Sequence, residues 1–259
     1  MRIKNVLGNA LDHLGEAVVS GRYAAGGTLP PEPQLGEELG VSRTVVREAV
    51  KSLVAKGLLS TGPKVGTRVQ PRHDWNWFDP DVVAWHVRTG LSREFLRDLQ
   101  ELRRTVEPAA ARLAAERATA ADVAQIRAAF AGMGEAIERG GDYVLHDLRF
   151  HAGLLRASHN RMLVQMAKAL STLLRVSFEL STTRPQSAAQ SLPLHGAILE
   201  SLVARDPQRA ESAALALIDS AARDIHAVLR SRRRLPSLAA PPRRLAAAGA
   251  AVRAPSRSS

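Results

Sequence analysis

The stretch from Leu29 to Val69, LPPEPQLGEELGVSRTVVREAVKSLVAKGLLSTGPKVGTRV, constrains this chain more than any other. Pro30 and Pro31 stiffen the approach to a first helix. Pro33 falls in its first turn, where the missing N–H forfeits nothing. Leu35 and Leu39, four apart, give that helix one apolar side, and Gly40 stops it. Ser42 is a good N-cap for a second helix, in which Val45, Val46, Ala49, Leu53 and Val54 form a buried stripe. Two helices joined by a short Gly-containing turn predict a helix-turn-helix. β-Prone runs at Leu58–Thr61 and Thr67–Val69 flank Gly62-Pro63-Lys64-Val65-Gly66 and predict a hairpin, a wing with Lys64 at its tip. The second helix opens on Ser42, Arg43, Thr44 and Arg47, and the first residues of a recognition helix are those that meet base edges in the major groove.

The remainder reads as helix. A first helix over Asn5–Ser20 turns Val6, Leu11, Leu14, Val18 and Val19 inward. Residues 71–91 form a linker holding all three tryptophans, Trp75, Trp77 and Trp85, so it is expected to dock rather than to flex. From Ser92 to Arg230 the spacing predicts six helices and no strand, with Ser92, Thr119, Asp142, Asn160 and Asp206 as N-terminal caps. Pro108 predicts a kink or break, Thr182–Ser191 a polar loop, and Leu192–Ala204 a short helix. The fold class is therefore mainly α: an N-terminal winged helix-turn-helix (1–70), the linker (71–91), an antiparallel helical bundle (92–230) and a basic tail (231–259).

Charge and composition narrow the function. The net charge is +11, but eight arginines lie from Arg230 onward with no acid among them, so the excess sits mainly in the tail. Such a tail is either a solvated, disordered extension or a source of non-specific attraction to phosphate. No cysteine occurs, which rules out disulfides and thiolate metal sites. No apolar run of transmembrane length and no signal-peptide core is visible, so no membrane partner and a cytoplasmic location are expected.

Within the bundle, Asp147 and His151 lie four apart on one helix face. That spacing fits either a buried ion pair or two ligands of a shared divalent ion. Arg103 has a guanidinium fork suited to a carboxylate, and its alternative is a surface salt bridge with Glu107 at i+4. Asn160 reads as a helix cap, and His146 and His159 as solvated.

The segment LGVSRTVVREAVKSL with its hairpin resembles the winged helix of the GntR family of bacterial transcription regulators, and DLRFHAGLLRASHN resembles the D-x-x-F-H…N motif of the FadR-type branch, whose sensing unit is the FCD domain. The resemblance implies a DNA-binding regulator and no enzyme. It places Ser42, Arg43, Thr44, Arg47 and Lys64 at the DNA. The family usually carries Arg where this chain has Pro33, which implies one contact fewer, on the order of 1–3 kcal/mol. It further implies a zinc-like divalent cofactor on Asp147, His151 and His195, while Leu217 stands where a fourth ligand, a histidine, is found in relatives. The same residues with Arg103 are the implied effector site. The linker PRHDWNWFDPDVVAW, the run VEPAAARLAAERAT and the absent fourth histidine look most like the galactonate-responsive repressors of that branch. The implied partners are a palindromic double-stranded operator, a sugar acid that relieves repression, and a second copy of the chain as homodimer. The alternatives are another small carboxylate (lactate, gluconate or glycolate) and a metal-dependent hydrolase built on Asp147, His151 and His195.

Overall fold

A computed structural model describes residues 2–63, 65–184 and 186–231, with side chains from 6 to 230. Lys64 and the basic tail beyond residue 231 lie outside the described residues. Helix α1 (Arg2–Val19) precedes α2 (Glu32–Leu39) and α3 (Arg43–Ala55), then the strands β1 (Leu59–Gly62) and β2 (Gly66–Val69). Gly40 ends α2 in the left-handed conformation (φ 63°), which costs a residue with a Cβ about 1 kcal/mol or more. The Ser42 hydroxyl then accepts from the Val45 amide to start α3. The strands pair antiparallel, Leu59 opposite Val69 and Gly62 opposite Gly66, and form the wing. Val46, Ala49, Val50 and Leu53 carry the buried side of α3. Val54 is exposed instead, as is Val6 on α1, because each lies at the edge of its helix's apolar stripe.

Helix α4 (Pro80–Thr89) follows, capped by the Asp79 carboxylate. Val82, Val83, Ala84, Trp85, His86 and Val87 are all buried, so this helix is covered on opposite sides. Val82 and Trp85 join the core of α1, α3 and the wing. Val83 and Val87 join a core shared with the helices that follow. Trp77 packs against both, so the aromatic linker is docked as its composition predicts. Trp85 lies against Gly15 of α1, where an added Cβ would sit 2.5 Å from the indole ring. Its Nε1–H donates to Asp12 at 3.0 Å. Lys56 bridges Asp79 and Asp81 at 2.8 and 2.9 Å, and Arg88 reaches back to Asp12 and Glu16.

The bundle comprises α5 (Arg93–Arg117), α6 (Ala120–Arg139), α7 (Tyr143–Ala157), α8 (Arg161–Ser181), α9 (Ser187–Val203) and α10 (Pro207–Ser231). Ser92, Thr119, Asp142 and Asn160 cap α5 to α8 through their side chains, Thr119 in a reciprocal box with Asp122. Helix α5 is the central one, packing against α7, α8, α9 and α10. It runs unbroken through Pro108, where the sequence predicts a kink or break. The proline removes one backbone bond, but Val106, Ala110 and Ala111 around it are buried and hold the helix together. Helix α9 also starts earlier than its spacing suggests, at Ser187. Pro193 lies inside it and forfeits only the bond to the Ala189 carbonyl. Among the described residues no helix is long and apolar enough to cross a membrane.

At the junction His86 is 6% exposed and stacks on Trp77 (ring centroids 4.6 Å) and Phe95 (5.7 Å), with no hydrogen-bond partner at Nε2. Burial, with a smaller push from the Arg72 cation, lowers its pKa to about 4. Unfolded histidine takes up a proton near 6.5. The stabilisation from burying neutral His86 is therefore complete above about 6.5 and is lost as pH falls toward about 4. Urea unfolding at pH 7 and pH 5 should show an acid loss about 2 kcal/mol larger in the native chain than in His86→Phe. Gly15→Ala, which improves intrinsic helix propensity, should nevertheless lower stability by about 1–3 kcal/mol through its collision with Trp85, read from the denaturation midpoint.

Candidate functional site

Two groups of side chains stand out, one exposed and one buried. At the start of α3, Ser42, Arg43, Thr44 and Arg47 are exposed while the opposite face of the helix is buried, so their polar ends share one open surface. Arg47 is already engaged: its Nε and Nη2 donate to Glu32 Oε2 at 3.2 and 3.0 Å. Glu32, the first residue of α2, was not singled out by the sequence reading. Its signal is an acid beside the helix N-terminus, where negative charge is favoured. Pro33 follows it within the first turn of α2.

The second group crosses the bundle. Asp147 and His151 project from α7 and His195 from α9, each 5% exposed or less. His151 Nε2 lies 3.2 Å and His195 Nε2 3.1 Å from the same oxygen, Oδ1 of Asp147. His195 Nδ1 is 2.9 Å from the Ser191 carbonyl, which can only accept, so this nitrogen carries the proton. Ser191 in turn meets the Tyr143 hydroxyl at 2.7 Å. On the other side, His151 Nδ1 lies 2.6 Å from Glu107 Oε2, close enough for an ion pair though not aligned for a linear hydrogen bond. Glu107 also accepts from Arg103 Nε at 2.7 Å. Arg103 Nη1 donates to Ser177 on α8 at 2.8 Å, and the guanidinium sits 4.8 Å from the Phe178 ring centroid. The Arg103–Glu107 pair is thus real but buried, not on the surface, because the face of α5 that carries it packs inside the bundle.

Burial opposes the charged forms of Glu107, Asp147 and His151, and the partners decide the outcome. For Glu107 desolvation would raise the pKa, yet the Arg103 and His151 cations bring it down to about 2. Asp147 is likewise held well below the usual carboxylate range, against burial, by His195 and His151. Burial would lower His151, but Glu107 and then Asp147 outweigh it and raise the pKa to about 9.

The arrangement fits a divalent ion. Asp147, His151 and His195 each offer a ligand atom within 4.8 Å of the others. His195 Nε2 faces Asp147 Oδ1 at 3.1 Å, a contact that an imidazolium N–H makes directly and that a cation held between the two also satisfies. Glu107 and the Ser191 carbonyl stand behind the two imidazoles, as the outer partners of metal-bound histidines do. Leu217 is buried in an apolar cluster with Phe150 and Ile198 and offers no ligand, and His226 is exposed. His146 is half-buried against Gly132, while exposed His159 pairs with Asp122 at 2.8 Å.

Comparison with known proteins places both groups in context. Residues 8–69 match the family described as bacterial regulatory proteins, gntR family, and residues 98–220 match the FCD domain. The galactonate operon transcriptional repressor of Escherichia coli K12 is 37% identical over 81% of this chain and 92% of its own length. The Glc operon transcriptional activator of the same strain is 30% identical over 81% and 84%. Among solved structures, that of Lar, which controls expression of the Listeria monocytogenes agr system, covers 86% of this chain and 97% of its own. Its TM-score is 0.53 and its identity 20%, so it bears on the fold alone.

Two measurements check the buried group. Glu107→Gln should destabilise the chain by about 3–5 kcal/mol, because it leaves Arg103 buried without its carboxylate. Arg112→Ala, which breaks an exposed pair with Glu116, should cost about 1 kcal/mol or less. In chelator-treated protein the His151 contribution is fully present below about pH 6.5 and lost as pH rises through about 9. The thermal midpoint should therefore decline over that interval. Zinc should flatten the decline, since the ion binds the deprotonated imidazole.

Proposed function

The chain belongs to the gntR family of bacterial regulatory proteins and is an FCD-domain transcription regulator, and on that premise we propose that it represses genes for the catabolism of a galactonate-like sugar acid, which releases it from its operator. The observation that carries this reading is the buried polar chain through Asp147, His151 and His195. An apolar bundle has no structural need for these groups, whereas a hydroxylated acid has a use for each. A bound divalent ion would supply a Lewis-acidic anchor for the carboxylate and a neighbouring hydroxyl. His151 and His195 would hold that ion with Asp147, and Glu107 fixes the orientation of His151. Arg103 contributes positive potential, but its carboxylate-binding edge is held by Glu107, so it acts beside the acid rather than as its sole clamp.

At the other end of the chain, Ser42, Arg43, Thr44 and Arg47 read the operator. One such helix reads a half-site, so the active form is a homodimer on a palindrome. Helix α4 connects the two ends, because it shares one core with α1 and α3 and another with α5 and α8. The acid shifts the population of arrangements only as far as it binds one of them more tightly.

An operator selected from a randomised duplex pool provides the test. Arg43→Ala combined with Arg47→Ala should weaken operator binding by about tenfold or more per arginine and leave the unfolding midpoint unchanged. D-Galactonate should release the native complex and raise its thermal midpoint, and Asp147→Asn should abolish both effects. Retention of operator affinity in the double variant would displace the recognition helix. A thermal midpoint indifferent to every aldonate would end the sensing reading.

A further inference from the structure

Beyond the carboxylate and ion ligands, the polar chain has a terminus that no partner completes. Gln100 lies one turn before Arg103 on the same face of α5 and is 9% exposed. Its Nε2 donates to Ser177 Oγ at 3.0 Å, and its Oε1 is buried with no hydrogen-bond partner. Ser177 is fully buried and accepts from both Gln100 and Arg103, which uses both lone pairs of its oxygen. The Oε1 end of Gln100 is therefore buried and unmatched, and a buried group of this kind destabilises a fold unless something supplies the missing bond.

We propose that Gln100, backed by Ser177, is a hydroxyl-recognition subsite for the acid, a specificity-determining position separate from the ion and carboxylate anchor. The inference rests on the sensing reading above. A neutral hydroxyl is the matching group, since it donates to the orphaned carbonyl. A second carboxylate does not match: the guanidinium nearby is already paired with Glu107, and an uncharged amide cannot offset the desolvation of another anion. Gln100 precedes Glu107 by about two helical turns, roughly 10 Å along α5. The ligand class is accordingly a polyhydroxylated chain long enough to reach from the Asp147, His151 and His195 group past the Arg103–Glu107 pair, an aldonate rather than a two- or three-carbon acid. Sites built to bond a hydroxyl discriminate strongly against analogues that lack it.

The experiment is calorimetry of the full chain with D-galactonate and its monodeoxy analogues, for the native protein, Gln100→Met and Gln100→Asn. Gln100→Met should raise the thermal midpoint of the ligand-free protein, since it removes the orphan, and should weaken D-galactonate by about three- to tenfold. That penalty should vanish for the one deoxy analogue lacking the hydroxyl held by Gln100. Gln100→Asn withdraws the amide by one methylene without removing its polarity, and should show the same analogue-specific loss if the methionine variant fails to fold. An unchanged galactonate affinity, as expected if a resident water completes Gln100, or an equal penalty for every analogue, would overturn the subsite and leave the sensing reading standing. Failure of the native protein to bind any aldonate would overturn both.

Discussion

The core of the winged helix and the core of the bundle meet on a ten-residue helix covered on opposite sides. Helix α4 places Val82 and Trp85 among the side chains of the winged helix and Val83 and Val87 among those of the bundle. Lys56 and Arg88 add ion pairs that tie it to α3 and α1. Interiors packed at crystal-like density transmit displacement rather than absorb it. A change at α8, which also touches α4, therefore has a solid path toward α3, and the tryptophans that make the connection rigid are those that distinguish this segment from an ordinary tether.

The bundle carries a second, opposite kind of constraint. Arg103, Glu107, Asp147, His151 and His195 are all nearly inaccessible, and each would be expensive to bury alone. Their mutual pairing makes the arrangement tolerable, not favourable: apolar residues of similar volume would stabilise such a core as well or better. Placing the group between Phe150 and Phe178 deprives it of competing water and strengthens whatever it does bind. The exposed arginines of α3 obey the reverse rule. They remain in water, where an exposed charge costs little.

How much of this is legible in the sequence follows from how far apart the interacting residues are. Caps at Ser42, Ser92, Thr119, Asp142 and Asn160 are read correctly because the hydroxyl or carboxylate and its amide lie within three residues. The helix-turn-helix and wing are legible for the same reason, as is the pairing of Asp147 with His151 across one turn. The position of His195 against them comes only through family resemblance, since spacing says nothing of contacts between α7 and α9. Glu107 is visible as the neighbour of Arg103, but its contact with His151 and its burial are not, because both depend on α5 packing against α7. Local rules also overstate Pro108: a proline in isolation breaks a helix, but one flanked by buried Val106, Glu107, Ala110 and Ala111 is overruled by packing. Glu32 and its hold on Arg47 escape notice because they join two helices across the turn.

The seat of Trp85 on Gly15 has an evolutionary corollary. The indole occupies the volume that any side chain at position 15 would need, so neither site is free to drift by itself. Lineages that enlarge residue 15 must shrink residue 85 in step, passing through an intermediate that is either overfilled or hollow. Across descendants of this chain the two positions should therefore change as a pair or not at all.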